Sequence, residues 1–350
     1  MLTMNGGHGT VSASESLAAH LRARGARATV TDLMAEANPL GAMLAELYNH
    51  LLRRDLRWAS LYMELAHRFP FDGFGPANAL SRGATLRLIG RQRPDALVLV
   101  CPWIVGPVLG ALRRLPGPRP KVYVVVVDLG AGLAPSWFDP GADFTTLPTR
   151  QARRWLQEHG LDGHPSEVTG MPLSPEIAKP PGAPGPPNLL DGPAVTVLGG
   201  REGGRNTLGI VDRLLERRLE ASIVVQCGRN RALLKSASRR KGVRAVGFLD
   251  SIIPLLRASS VVVTKPGALT VSELVALKRP FILDTWPAVM PQERGNVQFV
   301  REEHCGLIAS RPEEIPPMVE SVLDGRHSFT YPDIFGTDRI GDIILKGGAP

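Results

Sequence analysis

Continuous apolar runs alternate with helix-like segments along most of this chain. The runs are ALVLV from Ala96 and KVYVVVVDLG from Lys121, then AVTVLGG from Ala194, ASIVVQCG from Ala221, VRAVGF from Val243, SSVVVTK from Ser259 and RPFILD from Arg279. Each is short and rich in β-branched residues, which predicts strands. Strands that are apolar at every position are buried on both faces, and with helices between them they imply parallel sheets covered on both sides. Helices are expected near Ser12 to Arg24, Ala42 to His67 and Thr149 to His159, with others filling the gaps of the second half.

The strongest break is KPPGAPGPPNLLDGP, Lys179 to Pro193, whose prolines and glycines suit neither helix nor strand. It divides the chain into an N-terminal domain (1–178), a linker (179–193), a C-terminal domain (194–330) and a tail (331–350). A helix returning to the N-terminal domain is one reading of that tail. The fold class is α/β, two doubly wound domains in tandem, with ligands expected in a cleft beyond the carboxyl ends of the strands. At the start, MLTMNGGHGT places a glycine turn before a helix with only a few residues ahead of it, fewer than a strand of about five or six needs. The first strand therefore reads as cut short, with the natural start expected upstream.

At 350 residues, 43% of them hydrophobic and 21% charged, the chain is globular and long enough for two domains. A net charge of +8 favours an anionic partner: nucleic acid, an acidic lipid surface or a phosphorylated substrate. Solvated surface arginines account for roughly half of that charge. Aromatics are only 5%, with no basic stretch interleaved with Phe or Tyr for base stacking, so nucleic acid ranks last. Cys101, Cys227 and Cys305 are widely spaced and suggest neither disulfides nor zinc, which points to a reducing, cytoplasmic setting. No run approaches the roughly 18 apolar residues of a membrane span, and no secretory leader is visible.

The stretch VVVTKPGALTVSE, Val261 to Glu273, carries the first chemistry. A strand ends at Pro266 and Gly267, and a helix is expected to begin near Leu269 or Thr270. Its unpaired N–H groups and positive dipole end suit a phosphate. Glu273 would reach either back to Thr270 as a capping box or outward to a ligand hydroxyl. Taken alone, the capping box is favoured.

The same stretch resembles the donor-binding signature of processive diacylglycerol glycosyltransferases, plant-type monogalactosyldiacylglycerol synthases and the related MurG enzymes. Further matching segments follow in that family's order: GGHG (6–9), VDLGAGLAPSWFDPGAD (127–143), TGMPLSPEI (169–177), GGREGG (199–204), CGRN (227–230), VGFLDSIIPLLRASS (246–260) and PQERGN (291–296). The ordered set covers most of the chain. It implies a GT-B fold, an acceptor-binding N-terminal domain, a nucleotide-sugar-binding C-terminal domain, and an inverting transfer that needs neither metal nor other cofactor.

Carried over by position, the resemblance implies that Gly267, Ala268, Leu269 and Thr270 hold the diphosphate of a UDP-sugar. Glu273 takes the ribose hydroxyls, as a carboxylate can accept from both. Gln292 and Glu293 match the pair that reads the sugar hydroxyls, Asn296 matches the donor-side Asn that follows them, and Phe248 marks the segment that meets uracil. Arg229 and Gly200 fall near the nucleotide, although a surface arginine and a simple turn fit them equally. On the acceptor side, His8 is the candidate base, its ordinary pKa of about 6.5 suiting proton transfer near neutral pH. Asp128, ending the run VYVVVVD, orients that base or takes the proton itself, and Gly7 and Trp137 are assigned to the acceptor. The chain departs from the pattern at Ala134, where plant-like members carry histidine.

The segment AMLAELYNHLLRRDLRWASLYMELAHR combines apolar residues with Arg53, Arg54, Arg57, Trp58 and Tyr62, and reads either as a membrane-surface helix or as one packed on its own domain. The function expected is transfer of a hexose from a UDP-sugar to the hydroxyl of a diacylglycerol-type lipid. The enzyme would sit peripherally on an anionic membrane surface at the cytoplasmic face and make glycolipid. The alternatives are MurG-like transfer to a polyprenyl-linked acceptor and a non-catalytic UDP-sugar-binding subunit. A nucleotide-sugar epimerase is disfavoured, as its extra acid and base residues are not evident.

Overall fold

The computed structural model describes residues 1–3, 9–33, 35, 43, 75–130, 132–180, 192–200, 204 and 206–347. The chain divides into two compact units, parting at Pro175–Glu176 and again at Asp333–Ile334.

The first unit is a parallel sheet of β1 (Leu2–Thr3), β2 (Thr31–Asp32), β3 (Ala96–Leu99), β4 (Lys121–Val125), β5 (Phe144–Leu147) and β6 (Ser166–Val168), in the order β2-β1-β3-β4-β5-β6. It carries helices α1 (Gly9–Ala23), α2 (Gly75–Gln92), α3 (Pro102–Leu112) and α4 (Arg150–Glu158). Leu97 to Val100 and Val122 to Val126 are all buried, which is why those runs are apolar at every position. The two-residue β1 pairs with both β2 and β3.

The last described helix, Thr337–Lys346, belongs to this first unit. It packs on α1, with Arg24 bonded to Asp342 and His20 Nδ1 3.4 Å from Asp338. Met171 bridges Phe335, so the two chain crossings lie side by side. Only glycine fits at 336, because a Cβ there would stand 2.5 Å from the Thr169 carbonyl oxygen.

The second unit is a parallel sheet of β7 (Ala194–Leu198), β8 (Ser222–Gln226), β9 (Val243–Val246), β10 (Val261–Thr264), β11 (Phe281–Asp284) and β12 (Leu307–Ala309), in the order β12-β11-β10-β7-β8-β9. Its helices are α5 (Thr207–Glu216), α6 (Arg231–Ser238), α7 (Ile253–Ala258), α8 (Ala268–Ala276), α9 (Arg294–Glu303) and α10 (Ile315–Leu323). The chain winds outward from β7 to β9, then returns to β10 and winds the other way. Right-handed crossovers therefore put α5 and α6 on one face and α8 and α9 on the other. One core joins Val195, Val197, Val225 and Val263 to Ile210, Leu214, Leu233 and, from α10, Ile315 and Val319. Each such aliphatic side chain contributes about 1.5–3 kcal/mol on burial. Winding direction reverses between β7 and β10, so the crevice beyond their carboxyl ends is the ligand position of this unit.

The seven apolar runs all form strands. Sequence pattern missed β2, β5, β6 and β12, which are two to four residues long and mostly carry Thr, Ser or Asp among few apolar residues. The helix expected over Ala42 to His67 falls, apart from Met43, outside the described residues. Among the described residues no helix is long and apolar enough to cross a membrane.

Candidate functional site

In the second unit, the carboxyl ends of β7, β8, β9, β10 and β11 bring the expected donor residues to one edge. From β10 the chain passes through Lys265, Pro266 and Gly267 into α8, which starts at Ala268, one or two residues earlier than the sequence suggested. Gly267 is the N-cap and supplies no side chain, and Val271 N–H makes a capping bond to the Gly267 carbonyl. The N–H groups of Ala268, Leu269 and Thr270 thus form the open, positive end of the helix.

This start overturns the capping box. Thr270 lies two residues inside α8 rather than at its cap, so Glu273 has no cap to close. Instead Glu273 is buried, with no hydrogen-bond partner among the described residues, and burial pushes its carboxyl up to about 8. A largely buried carboxyl group without a partner among the described residues, one turn behind a positive helix end, is prepared for a hydroxyl-bearing ligand.

The loop between β10 and α8 is braced from PQERGN. Lys265 Nζ lies 2.8 Å from Glu293, and the Asn296 amide donates to the Pro266 carbonyl at 2.8 Å. Glu293 and Asn296 are buried, Asn296 almost completely, so both hold the loop in place. Gln292 is half-buried in the 3-10 turn beside them.

At the ends of β8 and β9, the Arg229 guanidinium sits 4.8 Å above the Phe248 ring, and Phe248 is exposed. An exposed ring under a cation is a ready stacking wall for a flat heterocycle. Gly200 follows β7 with φ of 71°, a left-handed turn that suits glycine. Gly204 N–H bonds back to the Gly199 carbonyl at 2.8 Å, closing that loop.

Two residues at this edge escaped the sequence reading. The Asn206 amide donates to Asp284 at 3.2 Å, and Trp286 N–H donates to the same carboxylate at 3.1 Å. The pair ties the loop after β7 to the loop after β11, while burial pushes the Asp284 carboxyl up. Its signal was visible: FILD ends a strand on a carboxylate, as VYVVVVD does.

In the first unit, Asp128 lies three residues beyond β4, and the Trp137 indole N–H donates to its carboxylate at 3.0 Å. Trp137 is fully buried, and in this structure its indole supports Asp128. Replacing Trp137 with Phe removes one bond to a charged group, worth about 1.5–3 kcal/mol. The expected result is turnover lowered about tenfold with an unchanged KM for donor, read in steady-state kinetics. Gly7 and His8 lie outside the described residues. The cysteines are inert, since burial raises Cys101 and Cys305 to about 12 and Cys227 to about 11.

Two stretches of the chain match known families. Residues 10–173 match the monogalactosyldiacylglycerol (MGDG) synthase family, and residues 194–328 match the glycosyltransferase family 28 C-terminal domain. Monogalactosyldiacylglycerol synthase 1 of Arabidopsis thaliana is 25% identical over 309 residues, 83% of this chain and 57% of that protein, so the chain spans little more than half of the plant relative's length. The processive diacylglycerol beta-glucosyltransferase of Bacillus subtilis is 26% identical over 340 residues, 92% of this chain and 86% of its own. Among solved structures, MurG of Acinetobacter baumannii aligns over 99% of both chains with a TM-score of 0.60 at 16% identity, a likeness of GT-B fold.

Proposed function

We propose that this chain, whose residues 10–173 match the MGDG synthase family and 194–328 the glycosyltransferase family 28 C-terminal domain, moves a hexose from a UDP-sugar to the hydroxyl of a diacylglycerol-type lipid. The observation that carries this reading is Glu273, buried and without a partner among the described residues behind the open N-terminus of α8, with the Arg229–Phe248 stack at the ends of β8 and β9 along the same edge. These features fit the three parts of a nucleoside diphosphate: a diol, a diphosphate and a base.

The transfer inverts the anomeric centre and gives a β linkage from an α-linked donor. His8 accepts the proton of the acceptor hydroxyl as that oxygen bonds to C1 of the sugar. Asp128, fixed by Trp137, orients the base or takes the proton itself. The C1–O bond to the diphosphate breaks with its electron pair, and UDP leaves as an anion. The N–H groups of Ala268 to Thr270 stabilise that developing charge. No metal ion or other cofactor takes part. Gln292 faces the hexose hydroxyls, while Glu293, paired with Lys265, holds the loop beside it. The enzyme works at the cytoplasmic face of the membrane, held peripherally on an anionic surface that attracts cations by about 1 kcal/mol each.

The test incubates the protein with diacylglycerol vesicles and a panel of UDP-sugars in EDTA, read by mass spectrometry of the lipids. A hexosyl lipid is the expected product. Saturable UDP binding without any lipid product would overturn the acceptor assignment.

A further inference from the structure

Gln226 ends β8 at a place where the pattern calls for another apolar residue. Ile223, Val224 and Val225 before it are buried core, and Gln226 itself is only 5% exposed. It lies in register with Leu198 on β7 and Val246 on β9, at the carboxyl edge of the sheet. Val225 and Val197 belong to the core under α5, α6 and α10, so Gln226, one residue on, faces the opposite side. That is the side α8 covers, where Glu273 is buried.

The carboxamide oxygen of Gln226 is buried without a hydrogen-bond partner among the described residues. Native proteins rarely leave such an oxygen unpaired, because it forfeits its hydrogen bond with water on folding. Here it shares one edge and one sheet face with Glu273, a second buried polar group without a partner. An orphaned acceptor on the same face and edge as a buried carboxyl group answers to a ligand that brings donors. β8 stands between the glycine turn of β7, on the diphosphate side, and β9, whose end carries Phe248. The part of a nucleotide lying over β8 is therefore the nucleoside. A carboxamide complements the imide edge of uracil, its oxygen accepting from N3–H and its NH2 donating to the adjacent carbonyl.

We propose that Gln226 reads the uracil base of the donor, its carboxamide pairing with the imide edge of the ring. The inference rests on the UDP-sugar reading above and adds the residue that selects the base. Leucine at this position fits an otherwise apolar strand end and removes the orphaned oxygen, so it separates binding from folding.

The test measures calorimetric binding of UDP and of N3-methyl-UDP to the full chain and to Gln226→Leu, with thermal melting of both proteins. Wild type binds UDP at least tenfold more tightly than the N3-methyl analogue. Gln226→Leu binds UDP about 10- to 100-fold more weakly, loses the preference, and melts no lower than wild type. Equal preference in the two proteins would overturn the role of Gln226, and so would a wild type indifferent to N3 methylation. Absence of any UDP binding by wild type would overturn the UDP-sugar reading itself, a separate result.

Discussion

Glu273→Ala binds UDP at least 100-fold more weakly than wild type, and Glu273→Gln is weakened in the same direction while resisting urea better at pH 8. The binding loss follows from geometry. A carboxylate accepting from two ribose hydroxyls makes two bonds to a charged group, each worth about 1.5–3 kcal/mol, and every 1.4 kcal/mol is tenfold in affinity. The stability gain follows from burial, which raises Glu273 from about 4.5 to about 8. Between those values the unfolded chain has lost the proton and the folded chain keeps it. The folded state therefore binds more protons, and its stability falls as pH rises through this window, by at most about 1.4 kcal/mol per pH unit. Below about 4.5 the contribution is fully present, and above about 8 it is gone. Glutamine carries no such proton, so the urea midpoints of wild type and Glu273→Gln diverge from pH 5 to pH 8. Parallel midpoints would show that Glu273 is already solvated or paired. Ligand binding carries the same signature, since recruiting the carboxylate near pH 7 releases a proton, detectable by calorimetry in buffers of different ionisation heat.

Asp128→Asn lowers turnover about 100- to 10,000-fold with the KM for the UDP-sugar unchanged, and His8→Ala does the same. Asparagine keeps an oxygen for the Trp137 indole, so the variant loses charge while the local fold stands. If the two residues form one proton-transfer unit, the double variant is hardly slower than either single one. Losses that multiply would assign them separate tasks. Undiminished turnover in Asp128→Asn would remove it from the chemistry and leave Trp137 a purely structural indole.

The placement of several candidate residues was legible because it depends on the backbone. Gly267 to Thr270 could be read as an anion site from a strand, a Pro-Gly break and a helix start, since unpaired N–H groups exist at any such junction. Arg229 and Phe248 were placed at strand ends, though not as a stacked pair, because contact between β8 and β9 is a matter of sheet order. Glu293 and Asn296 were placed on the donor side by resemblance, and their hydrogen bonds go to Lys265 and Pro266, residues about thirty positions away that no local pattern brings near. Trp137 is buried where its turn packs on α3 and its indole meets Asp128, contacts that its local sequence does not show.

The sequence by itself determined the parallel α/β class, the seven long strands and the open helix end at β10, since all of these depend on periodicity and on chain-breaking residues. Tertiary structure alone decided the partners. It turned Glu273 from a capping residue into a buried carboxyl group, joined Asn206 to Asp284, set Trp137 behind Asp128 and brought the last helix onto α1. Burial and long-range hydrogen bonds depend on which strands become neighbours, and in a doubly wound sheet those neighbours are fixed by crossovers rather than by adjacency along the chain.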